Sequence, residues 1–136
     1  MQKNIAIYID PPTHHFLQNR LFDTASHQRI GDNLNAPYVA FHQYFEAQGI
    51  PVNTIDYLPE PSVDTDIIYI AFSNLANYKK MAQRKDILLS TYVAMECRVV
   101  EPSLFTRLKK AHHYFKHILS WSDGESLAPY IGETIN

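Results

Sequence analysis

After its acidic first residue, the segment Asp66-Ile67-Ile68-Tyr69-Ile70-Ala71-Phe72 runs through six apolar side chains without a polar interruption. A strand with one wet face alternates, so this run predicts a strand covered on both faces, as parallel sheets require. A second run, Ile5-Ala6-Ile7-Tyr8-Ile9, stops at Asp10-Pro11-Pro12, where proline withdraws the ladder donors. Residues 50–56, 86–93 and 118–121 are also strand-like, the first of them reached through a glycine turn at Gly49. Helical patterns lie between these stretches. Asn35 is a good N-cap, Pro37 sits in the first turn, Leu34, Tyr38, Phe41 and Phe45 recur at helical spacing, and Gly49 ends the pattern. Residues 74–85 suit a short helix. Pro102 opens another, with Leu104, Leu108, Ala111 and Phe115 along one face. Residues 13–35 read as a long loop holding a helical turn at most.

Strands that alternate with helices need crossover connections. The expected fold is therefore α/β: a Rossmann-like three-layer domain with a mostly parallel sheet of about five strands. Strand order is not legible, and the doubly wound arrangement is the default. With 136 residues there is room for one core. We expect a single domain over residues 1–123 and a linker or C-terminal tail over 124–136.

Twelve basic against fourteen acidic side chains give a net charge of -2, which offers no broad footprint for nucleic acid or an anionic membrane and leaves room only for local patches. The apolar runs are far shorter than the roughly 18 residues of a spanning helix, so no membrane-spanning segment is expected. The start lacks the layout of a signal peptide, and the lone Cys97 excludes an internal disulfide. A cytoplasmic location is the expectation.

Familiar phosphate-binding chemistry is missing. None of the four glycines makes a dinucleotide or Walker A fingerprint, and there is no Gly-x-Ser-x-Gly elbow. In a doubly wound sheet the ligand binds beyond the carboxyl ends of the strands. The loops at residues 10–35, 73–77, 94–101 and 122–124 are then the places to search. His14 and His15 stand in the first, where an imidazole can bond a sugar hydroxyl or a phosphate, although an ordinary polar loop is the commoner role. His113 and His117 would share a face if both were helical, as metal-binding pairs do, but a site needs a third ligand and the expected metal is none. The basic run Arg107, Lys109, Lys110, His112, His113 and Lys116 is read as the solvated face of the last helix. Glu96 and Glu101 follow a buried strand and precede a helix; a carboxylate there can take a proton from a hydroxyl, with helix capping and a surface ion pair as the plainer alternatives.

The stretch from Ile87-Leu88-Leu89-Ser90 through Glu96-Cys97-Arg98-Val99-Val100-Glu101-Pro102-Ser103 to Ile118-Leu119-Ser120-Trp121-Ser122-Asp123 resembles the family 10, fucosyltransferase-like glycosyltransferases. Asp32-Asn33-Leu34 with Pro37-Tyr38, leading to Gly49-Ile50-Pro51-Val52-Asn53-Thr54-Ile55-Asp56, is similar to the start of such proteins. Together these segments cover about two-thirds of the chain. The resemblance implies one half of a GT-B architecture, the N-terminal half that receives a carbohydrate acceptor. A C-terminal donor-binding domain, absent from this chain, would hold a GDP-sugar, so the domain itself would bind no cofactor and be inactive alone. Glu96 matches the family's catalytic glutamate, proposed to deprotonate the acceptor hydroxyl in inverting transfer, with Glu101 as the competing position. Cys97-Arg98 departs from the small or uncharged residues often found there. By loop position, His14, His15 and Asn33 are the expected acceptor contacts.

A second class of function is also compatible with the pattern: a free-standing flavodoxin-like or receiver-like module that binds a partner protein. Asp10 is the acidic residue after the first strand that a receiver would use, but prolines follow it. The segment Pro11-Pro12-Thr13-His14 is poor as a flavin phosphate loop.

Overall fold

A computed structural model describes residues 3–23, 36–94 and 104–120. Its centre is a five-stranded sheet in the order β2-β1-β3-β4-β5, every adjacent pair parallel. The strands are β1 (Asn4–Asp10), β2 (Val52–Thr54), β3 (Thr65–Phe72), β4 (Ile87–Ala94) and β5 (His117–Ser120). This is the doubly wound order in which the chain reverses direction between β1 and β3. The expected Rossmann-like three-layer fold is therefore what the chain forms, and the parallel pairing places every strand's carboxyl end on one edge.

Helix α1 (Ala36–Ala47) covers one face of the sheet; α2 (Tyr78–Ala82) and α3 (Leu104–Tyr114) cover the other. On the α2/α3 side, Ala6, Tyr8, Ile67, Tyr69 and Ala71 meet Tyr78, Met81, Leu108, Ala111 and Phe115. Burial of the aliphatic and Phe side chains larger than alanine stabilises by about 1.5–3 kcal/mol each. On the α1 side, Ile7, Ile9, Leu21 and Val52 are buried, and Tyr38, Phe41, Phe45, Ile68, Ile70 and Phe72 pack half-buried against them. Strand β3 is thus sealed on one face and only partly covered on the other.

A bulge in β4 keeps its tyrosine in the core. Tyr69 lies opposite Leu89 but Ile70 opposite Thr91, leaving Ser90 without a partner. The extra residue shifts the alternation, so Ile87, Leu89, Tyr92 and Ala94 all join the α2/α3 core.

Gly49 ends α1 as the sequence predicts. Ile50 N–H donates to the Phe45 carbonyl at 2.9 Å and Gly49 N–H to that of Glu46 at 3.0 Å, with Gly49 left-handed at φ 81°. This is a Schellman cap, and Ile50 and Phe45 belong to the same apolar cluster. The strand expected over residues 50–56 is shorter: only Val52–Thr54 pairs, and Ile55–Tyr57 turns into a 3-10 helix.

His113 and His117 do not share a helix face. The last helical bond is Phe115 N–H to the Ala111 carbonyl; Lys116 N–H then bonds Leu89 of β4, and His117 begins β5. Pairing with β4 satisfies the backbone that a further helical turn would have used. The proposed domain boundary at residues 123–124 lies outside the described residues.

Candidate functional site

Because the sheet reverses direction between β1 and β3, the crevice beyond their carboxyl ends is where this topology offers a ligand site. Asp10 closes β1 there and is only 2% exposed. Three donors satisfy it. Tyr69 Oη donates to Oδ2 at 2.5 Å, Asn77 Nδ2 to the same oxygen at 3.0 Å, and Asn74 Nδ2 to Oδ1 at 2.7 Å. Asn74 also donates to the Pro11 carbonyl at 3.1 Å and accepts from Ala76 N–H at 2.8 Å. One carboxylate thus fastens the end of β1 to β3, the loop after β3 and the entry to α2.

Burial pushes the Asp10 carboxyl above its ordinary value, more than the hydrogen bonds from Tyr69 and Asn77 pull it down. Burial, with the negative charge of Asp10 beside it, raises the Tyr69 phenol far above its ordinary range, so it remains a donor. With its oxygens engaged internally, Asp10 organises the edge rather than accepting a substrate proton. Ser73, left-handed at φ 52°, lets the chain leave β3 while its N–H bonds the Val93 carbonyl at 2.7 Å.

The loop after β1 is held by a second knot. Gln18 and Asn19 are both left-handed at φ 60°. Asn19 Oδ1 accepts from Thr54 N–H at 2.8 Å, its Nδ2 donates to Asn53 Oδ1 at 2.9 Å, and its N–H donates to Thr54 Oγ1 at 3.0 Å. Gln18 N–H reaches Asp56 Oδ2 at 3.0 Å, and the Thr54 hydroxyl donates to Asp56 Oδ1 at 2.5 Å. These bonds tie the loop to the outer strand β2, while Leu21 is buried completely beneath it.

His14 and His15 form a 3-10 turn with Phe16 on this loop. Both are exposed, with ring centroids 4.3 Å apart. Neither bonds Asp10 or its donors, so they are surface groups beside the crevice. Asn33, Glu96 and Glu101, with Cys97 and Pro102, lie outside the described residues. Among the described residues no group of three or more His, Cys, Asp or Glu is arranged to hold a metal.

Sequence reasoning named Asp10 and the loop at residues 73–77 separately but did not join them. The available signal was an acid ending an apolar strand, with Asn74 and Asn77 just past another. No protein-family model matches the chain, and no curated protein or solved structure matches it either.

Proposed function

We propose that this chain is the acceptor-side half of an inverting, fucosyltransferase-like glycosyltransferase of GT-B architecture, working in the cytoplasm on a carbohydrate acceptor. A donor-binding half outside this sequence would hold the GDP-sugar. Glu96 would take the proton of the acceptor hydroxyl while that oxygen bonds the anomeric carbon and GDP departs from the opposite face, inverting the centre as in inverting glycosidases. The observation that carries this reading is the position of β4. It lies between β3 and β5, and its last residue, Ala94, ends at the carboxyl edge that Asp10 shares; Glu96 follows two positions later in the sequence. His14, His15 and Asn33 are the acceptor contacts in this proposal.

The flavodoxin-like or receiver-like alternative shares the strand order. It is disfavoured by Asp10, which is buried and bonded by three side chains where a receiver's acid after the first strand must be open.

The test uses the native full-length polypeptide with labelled GDP-fucose and an oligosaccharide panel. Transfer with inversion is expected, and Glu96→Gln should lower turnover by at least about a hundredfold. Wild-type turnover in that variant removes Glu96 as the base. A native polypeptide of this chain's own mass removes the donor half and with it the proposal.

A further inference from the structure

Two segments hold most of the positive charge. Residues 74–85 and 104–120 contain eight of the twelve Lys and Arg and none of the fourteen Asp and Glu. Exposed helix faces ordinarily mix the two signs. The remainder of the chain has four basic residues against all fourteen acids, so a net charge of -2 conceals a strong separation.

The fold turns that separation into a face. In Tyr78-Lys79-Lys80-Met81 of α2 the outer residues are buried and the two lysines exposed. Leu108-Lys109-Lys110-Ala111 of α3 repeats the arrangement. Both helices lie on the same side of the sheet, and the Tyr78 and Tyr114 rings meet edge to face at 4.7 Å. The two lysine pairs therefore look outward from one layer. Lys85 and Lys116, also exposed, stand just before β4 and β5 at the amino edge, opposite the crevice at Asp10. Arg84 is engaged by Asp86, whereas the ammonium groups of the four paired lysines make no hydrogen bond or ion pair among the described residues.

We propose that the α2/α3 layer docks on an anionic lipid bilayer. Its described exposed charges are lysines, point charges suited to a diffuse layer of headgroups, whereas reading base edges relies on forked side chains such as Arg and Asn. Tyr114, 45% exposed, is the large apolar side chain this layer presents among the described residues. One amphipathic ring fits the headgroup level but does not supply the apolar centre of a protein interface. Docked by this layer, the molecule keeps its carboxyl edge at the side, open to a ligand. The inference goes beyond the glycosyltransferase reading and does not depend on it.

Sedimentation of the intact protein with vesicles tests it. Binding is expected with phosphatidylcholine containing phosphatidylserine, not with phosphatidylcholine alone, and should be lost at high salt. At about fivefold per lysine, combining Lys79→Gln, Lys80→Gln, Lys109→Gln and Lys110→Gln should lower partitioning on the order of a hundredfold or more, with an unchanged circular dichroism spectrum. Arginine at the same four positions should retain binding. Absence of binding, equal binding to both vesicle types, an unaffected glutamine variant, or displacement from vesicles by trace RNA would overturn the proposal.

Discussion

The Tyr69 phenol reaches diagonally across the β1–β3 pair to the Asp10 carboxylate, 2.5 Å away. Tyr69 is in register with Tyr8, two residues before Asp10, and all three side chains face the α2/α3 layer. A buried carboxylate is costly unless donors surround it. Here the donors come from β3, the following loop and the start of α2, so one acid holds three segments at the crevice.

Removing that acid should be far worse than removing one donor. Asp10→Ala leaves Tyr69 and Asn77 without their acceptor and Asn74 with the Pro11 carbonyl alone, and should destabilise by about 1–3 kcal/mol for each orphaned donor, hence by about 3–5 kcal/mol in all. Tyr69→Phe leaves two donors in place and should cost about 1–3 kcal/mol. Urea denaturation of the two variants checks the order; equal losses would contradict it.

Asp10 also sets a pH slope. Its folded carboxyl is held above the ordinary 3.8 by burial, so the folded chain binds this proton more tightly than the unfolded chain. Its contribution to stability is full below the ordinary value and is lost as pH rises through the raised one. Asp10→Asn, uncharged throughout, should lack that decline. Urea midpoints measured upward from acid pH would reveal a flatter profile than wild type.

Asp86 gives the opposite slope. Arg84 grips it with two hydrogen bonds, at 2.7 and 3.0 Å, and holds its carboxyl below 3.8. This contribution is present above the ordinary value and is lost as pH falls through the depressed one. Arg84→Gln also gives up a bond to the Pro59 carbonyl. It should be about 1 kcal/mol less stable near neutrality, and the difference should shrink in acid to the share of the Pro59 bond. A difference that persists unchanged in acid would rule out the ion pair as its source.

Asn19 fastens the loop that carries His14 and His15. Alanine there would strain a left-handed backbone and leave the Thr54 N–H, at a fully buried residue, without its acceptor. A loss of about 2–4 kcal/mol follows. Asn19→Gly accepts the backbone and forfeits only the side-chain bonds, so it should cost less. Hydrogen exchange at Thr54 should accelerate in both variants; an unchanged rate would separate the knot from the edge strand.

Local patterns were enough to read most elements. The uninterrupted runs at residues 5–9 and 67–72, the cap at Gly49 and the Leu108/Ala111/Phe115 stripe depend on neighbours within a few positions, and the structure forms each accordingly. From the crossovers they require, the parallel three-layer architecture followed. The sequence alone did not reveal the extra residue at Ser90, which is defined only by pairing with β3. Nor did it reveal that β5 would take His117 away from the helix of His113.

Tertiary structure alone decided the site's anatomy. Asp10 meets its donors 59 to 67 positions away, and Asn19 meets Thr54 35 positions away. Residues so far apart become neighbours through strand order, which hydrophobic periodicity does not encode. The lysine pairs illustrate both halves. Their spacing on α2 and α3 is written in the sequence; that they share one outward layer is settled by which face of the sheet each helix covers.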